Sequence, residues 1–283
     1  MAYEITLLTT MAISVLFALS LNFISGFCGQ ISLGHAAFIG AGAYASALLA
    51  KSSVPFLLTL PAAALTAGVI GLVIGLTSLR VRHDFLAITT MGVGFLFVGI
   101  VRQQDFLGGE IGISGIPSSG LSRVGFMAFC IGLALAFAAF SLFIRRSWMG
   151  FVFDSIADNE DVTRILGIDA SRYKLIAFVI GTAVAGIAGA LYAHHFRFVG
   201  PDSFGFVESV SILAMVIVGG IGSVWGVAFS AAVLSVLPLL VQFVDDYKLL
   251  VYSGLLFAVM RFAPDGLAGM IRRLRNRVRK APP

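Results

Sequence analysis

Long apolar runs recur along the whole chain, at 5–27, 31–50, 54–79, 85–101, 124–144, 173–193, 207–220, 224–244 and 249–262. Most approach the roughly 20 residues that a helix needs to cross a hydrocarbon core of about 30 Å. A membrane β-barrel would alternate apolar and polar positions in short segments. The run VGFMAFCIGLALAFAAFSLFI at 124–144 does not alternate. The pattern therefore predicts an all-α polytopic integral membrane protein of eight or nine transmembrane helices, a single domain over 1–283. The run at 207–220 is too short for a full crossing and predicts a half-helix. Pro61 predicts a break in the third run, because it removes a helical donor and crowds the preceding turn.

One polar island, 145–174, interrupts this pattern: RRSWMGFVFDSIADNEDVTRILGIDASRYK. Its punctuation predicts two short helices. Asp158 is placed to cap a helix over 159–166, with Asp161 as capping-box partner. Gly167 fits the left-handed position that ends it. Asp169 fits the cap of the next helix, which becomes the sixth crossing. Val152, Phe153, Ile156, Val162, Ile165 and Leu166 are apolar at helical spacing, so the island is expected to pack against something.

Charge gives the orientation. The chain is 12% charged, about half the usual share for a soluble domain. With the N-terminus outside, 14 of the 19 Lys and Arg fall on the inner side, Arg80, Arg82 and the island's basic residues among them. Five fall outside: Lys51, Arg102, Arg123, Arg197 and Lys248. By the positive-inside bias the island and the C-terminus are cytoplasmic. Leu267, Met270, Ile271, Leu274 and Val278 in the tail 264–283 share helical spacing among basic residues, which suits an amphipathic helix on anionic lipid. The net charge of +5 calls for no nucleic acid.

Two Gly-rich segments sit at membrane depth: Gly29-Gln30-Ile31-Ser32-Leu33-Gly34-His35 and Gly219-Gly220-Ile221-Gly222-Ser223-Val224-Trp225-Gly226. Clustered glycine weakens helix interiors by roughly 1 kcal/mol each. Irregular backbone at this depth must face protein or a watery cavity. Paired Gly-interrupted segments point to a central pathway. Gln30, Ser32, Gly34, His35, Gly219, Gly220, Gly222 and Ser223 are the expected path residues. The glycines of GIAG, 186–189, read instead as helix-packing contacts.

Several chemistries find no residues. Cys28 and Cys130 lie in apolar surroundings and read as small buried hydrophobes. No HExxH, Gly-x-Ser-x-Gly or P-loop pattern occurs, so neither an intramembrane hydrolase nor ATP binding is indicated, and no cofactor or metal is expected. An ion-coupled carrier would place carboxylates within its spans. Here Glu208 and Asp84 fall at span ends.

Four blocks, in order, resemble the branched-chain amino-acid ABC importer permeases of the LivM type: 29–49, 172–193, the run from His194 through Phe204, and 219–226. The stretch Asp161-Val162-Thr163-Arg164-Ile165-Leu166-Gly167 is similar to the family's cytoplasmic EAA signature, with Asp161 for Glu and Val162 for Ala. The resemblance implies a non-catalytic permease subunit of the bacterial inner membrane. Its implied partners are a LivH-like second permease, two ABC ATPase subunits, an external substrate-binding protein and a small-molecule solute. It also implies that Asp158, Asn159, Glu160, Asp161 and Gly167 form the element that couples to the ATPase. The glycine-rich loop 103–123 resembles the family's external loop. The family often carries an acid after the Gly-x-Gly pair of the fourth span; here Phe95 and Leu96 follow Gly94. Related permeases serve urea, amides and aromatic acids.

Overall fold

The computed structural model describes residues 2–78, 83–263 and 266–270. Arg80, Arg82, Pro264 and the tail 271–283 lie outside the described residues. Among the described residues, seven helices are long and apolar enough to cross a membrane, and each of the nine expected runs forms a helix. The nine are α1 (Ala2–Cys28), α2 (His35–Lys51), α3 (Phe56–Ser78), α4 (His83–Gln103), α5 (Arg123–Arg146), α8 (Ala170–Phe196), α9 (Phe206–Gly219), α10 (Val224–Leu240) and α12 (Lys248–Phe262). The seven leave out α2 and α10, which have 17 residues each. The island folds as α6 (Trp148–Asp158) and α7 (Glu160–Ile165). A short helix α11 (Gln242–Asp246) precedes α12. The strands β1 (Ile113–Ser114) and β2 (Phe198–Val199) form one antiparallel pair, Ile113 opposite Val199.

Helix α8 is the axis of the bundle. It packs against α1, α2 and α3 through small residues. Gly186 meets Gly42 of α2 and Ala63 and Ala67 of α3; Gly181 meets Ser20 and Ile24 of α1; Gly189 meets Ile39. Backbones approach closely where no Cβ intervenes, which is how helices gain van der Waals contact in lipid. The 186–189 glycines are packing contacts, as their spacing predicts. Phe23, Phe38, Phe153, Phe178 and Phe204 fill the remaining space as fully buried rings. Burial then falls toward the periphery. In the most apolar stretch of α1, 72% of residues are buried, against 12% in that of the span Lys248–Met270. The exposed apolar faces of α3, α4 and α12 are left for lipid or a neighbouring subunit.

Four expectations need correction. The second helix begins at His35, not 31, so 29–34 is irregular chain. Gly29 at φ 66 turns the backbone there. Pro61 does not divide α3: it lies in the second turn, where its missing N–H leaves one carbonyl without a donor but does not stop the helix. The run 224–244 divides at Val241, just after Pro238, into α10 and α11. The 14-residue α9 is short, as expected, but a 3-10 turn (Pro201–Phe204) leads into it and brings the apolar segment to 19 residues.

Candidate functional site

The island is a tight hairpin fastened to the bundle. In α6, Val152, Phe153 and Ile156 are buried: Val152 and Ile156 against Ala170, Phe153 against Phe23 and Tyr173. Helix α7 is capped by Asn159, whose Oδ1 accepts from the N–H groups of Asp161 and Val162. This corrects the assignment of the cap to Asp158, which ends α6. Both are good capping residues, and the extended backbone at Asn159 (φ −159) decides between them. Gly167 takes φ 82, and Asp169 caps α8 by accepting from the Arg172 N–H.

Thr163, fully buried, donates within this hairpin, and its hydroxyl meets that of Ser155. The Nζ of Lys174 on α8 donates to Glu160 Oε2 at 2.5 Å, with Lys174 and Glu160 side chains 6% and 12% exposed. Arg164 engages the other oxygen of Glu160 at 2.7 Å. With its polar groups so occupied, α7 presents Val162, Ile165 and Leu166 outward, 50%, 84% and 70% exposed.

Both Gly-rich segments lie at this same end of the bundle. Gly29 rests against Ala157 of α6. Gly222 (φ 79) donates its N–H to Asn22 Oδ1 at 2.9 Å, and its carbonyl accepts from Arg145 Nη1 at 2.5 Å. Ser223 caps α10 through the Gly226 N–H. Gly219 and Gly226 are in backbone contact, and Gly220 (φ 99) meets Gly266. This segment is a close turn between α9 and α10.

The first segment folds back into the bundle. Gly34 packs on the backbone of Thr90 in α4. His35 Nε2 bonds Ser20 Oγ at 2.7 Å, eight residues before the end of α1 and so roughly 12 Å along it at 1.5 Å per residue. Gln30, Ser32 and His35 are buried. Both amide atoms of Gln30, the Ser32 hydroxyl and His35 Nδ1 have no hydrogen-bond partner among the described residues.

A separate cavity of about 480 Å³ lies beside the middle of α1, against Ile13 and Phe17. Glu208 in the first turn of α9 and Lys248 at the start of α12 both line it, joined at 2.6 Å with about a quarter of each side chain exposed. Glu208 lies at the end of its helix, as its position in the sequence suggests, but that end faces the cavity beside the middle of α1. The residue after it, Ser209, accepts the Ala36 N–H near the start of α2, deep in the bundle. Glu208 and Lys248 lie 40 residues apart, and the sequence carries no signal that brings the two together. None of the eight expected path residues lines this cavity.

At the far end, β1 and β2 pin the loop 103–123 to the end of α8. Arg102 pairs with Asp202 at 2.6 Å, and His194 Nδ1 meets the Pro117 carbonyl.

A helical bundle with an apolar-faced hairpin at one end and a braced loop at the other is the setting in which the four resembling blocks lie. Residues 4–260 match the family of branched-chain amino acid transport system permease components. The chain belongs to that permease family. It is 32% identical over 300 residues to the high-affinity branched-chain amino acid transport system permease protein LivM of Salmonella typhimurium, covering 95% of this chain and 71% of that protein. For the LivM protein of Escherichia coli K12 the identity is 33% over 295 residues, 93% and 69% of the two chains. LivH of Salmonella typhimurium is 32% identical over 137 residues, 48% of this chain and 44% of its own length. This permease is thus a multi-pass membrane component of an ABC transport system, and its resemblance reaches both kinds of permease subunit.

Proposed function

We propose that this permease pairs with a LivH-like second permease to carry branched-chain amino acids inward, and that two separate ABC ATPase subunits drive it through the island 145–174. An external binding protein delivers the solute at the end bearing the loop 103–123. The permease itself performs no catalysis. The observation that carries the reading is the outward apolar face of α7. Val162, Ile165 and Leu166 are exposed on a helix whose own fold is already satisfied by Asn159, Thr163 and the Lys174–Glu160 pair. An apolar patch held rigidly in a polar segment is a partner surface. Asp158, Asn159, Glu160, Asp161 and Gly167 shape and present it.

The path residues support the same reading. Gln30, Ser32 and His35 hold buried polar atoms without partners among the described residues. Such atoms cost roughly 1–3 kcal/mol each, so this arrangement favours a state in which they meet water or solute. Gly34 packs on Thr90, and Gly219, Gly220, Gly222 and Ser223 form a close turn at the same end of the bundle, which we read as the closed inner end of the path.

The decisive experiment is co-purification. Ile165→Asp and Leu166→Asp, each in the assembled transporter, are expected to lose the ATPase subunits while the two permeases stay together. Retention of both ATPases with normal solute-stimulated hydrolysis overturns the docking surface.

A further inference from the structure

We propose that the cavity holding Glu208 and Lys248 is a binding station for the zwitterionic head of an apolar α-amino acid. This deepens the importer reading and rests on it. The cavity, about 480 Å³, has the size of a small-molecule site. Ile13, Phe17, Ile39, Phe204, Val207 and Met215 supply an apolar wall. Three acids, Asp202, Glu208 and Asp245, and one base, Lys248, line the same space; Asp202 is held by Arg102 and Glu208 by Lys248.

A mere tie between α9 and α12 is a weak explanation for this pair. Two charges taken out of water gain little net stability from each other, and well-packed apolar residues would hold the helices as well or better. Lys248 also stands in the first turn of α12, the end where the helix dipole disfavours a cation. Both side chains keep about a quarter of their surface exposed. Tyr252, by contrast, is buried and committed, donating to the Leu234 carbonyl at 2.7 Å.

A zwitterion resolves the arrangement. The Lys248 ammonium donates to the incoming carboxylate, and the Glu208 carboxylate accepts from the incoming ammonium. One ion pair becomes two charge-assisted contacts, and no charge is left alone. A solute with only one of the two charges strands either Glu208 or Lys248, which is costly away from water. The site therefore selects for the pair of charges together, with the apolar wall receiving the side chain.

The test uses membrane vesicles holding the complete transporter with Ser203→Cys. Ser203 lines the cavity, and the native Cys28 and Cys130 are fully buried, so maleimide labelling reports the cavity. Leucine at about ten times its dissociation constant is expected to slow labelling roughly tenfold, as occupancy of one site requires. Leucinamide and 4-methylpentanoate, each lacking one charge, are expected to protect little. Glu208→Gln and Lys248→Gln should each abolish protection by leucine. So should Ser235→Phe, which fills the cavity without touching the pair.

Absence of protection, equal protection by all three solutes, or full protection in the charge-removed variants overturns the proposal. ATP-driven leucine uptake by the same vesicles separates the two readings. Uptake without protection removes the binding station alone; protection without uptake removes the importer reading alone.

Discussion

Lys174 and Glu160 face each other across the junction of α8 and α7, Nζ to Oε2 at 2.5 Å, with both side chains nearly closed off from solvent. The short helix that carries the outward apolar face is thereby joined to the helix at the axis of the bundle. A buried pair of this kind contributes little over an apolar substitute, yet losing one partner is costly. Glu160→Gln or Lys174→Met is expected to loosen the hairpin by roughly 3–5 kcal/mol, and the double variant by clearly less. Hydrogen exchange of the amides at 160–167 measures both. Exchange that stays slow in the single variants would remove the fastening role of the pair.

Gly167 offers a cleaner perturbation, because a Cβ there meets no atom within 4 Å and only the backbone angle opposes it. The left-handed conformation costs an L-residue about 1–2 kcal/mol, more for a β-branched one. Gly167→Val is expected to cut ATP-driven uptake while leaving the bundle's thermal stability unchanged, and Gly167→Asn to do so weakly. Equal uptake by all three proteins would show that the turn is not part of coupling.

The glycine contacts of α8 make the opposite prediction, of lost stability without a specific effect on coupling. A side chain on Gly186 runs into the Ala63 carbonyl and the Ala67 methyl. Gly186→Val is expected to lower stability in detergent by roughly 1–3 kcal/mol or to block folding, as overpacking does. Gly132→Val, where a Cβ meets nothing within 4 Å, is the control and should melt near the native temperature. Similar melting of the two variants would mean that α8 is not held by close approach.

Asn22 supplies the acceptor for the Gly222 N–H. Replacing it by Leu leaves that donor buried and unpaired, at about 1–3 kcal/mol. The turn at 219–223 is expected to become accessible to protease in Asn22→Leu and to stay resistant in Asn22→Asp. Resistance in both variants would show that the turn is held by its neighbours alone.

Much of this architecture is written in local patterns. The apolar runs mark the helices because length and hydropathy alone decide them. Gly167 and Asp169 are legible because a left-handed turn and a helix cap depend on neighbours in sequence. The cap at Asn159 was missed by one position, since Asp158 has the same chemistry and backbone direction makes the choice. The start of α2 is not legible because residues 31–34 are apolar enough to continue a helix, whereas the fold packs Gly34 on Thr90 and turns the Leu33 N–H to the Thr90 hydroxyl. The Glu208–Lys248 pair was invisible for a different reason. Each residue sits at the edge of its own apolar run, and the fold draws both edges inward to one cavity.

Arg145 holds the Gly222 carbonyl, and Gly29 leans on Ala157. One unwound stretch thus rests on the turn of the hairpin that bears the exposed apolar face, and the other is held from the end of α5, just before that hairpin begins. A push on that hairpin need not travel down any helix to be felt at them. The lever is short, its two arms are already touching the latch, and the solid block around α8 gives it something to push against.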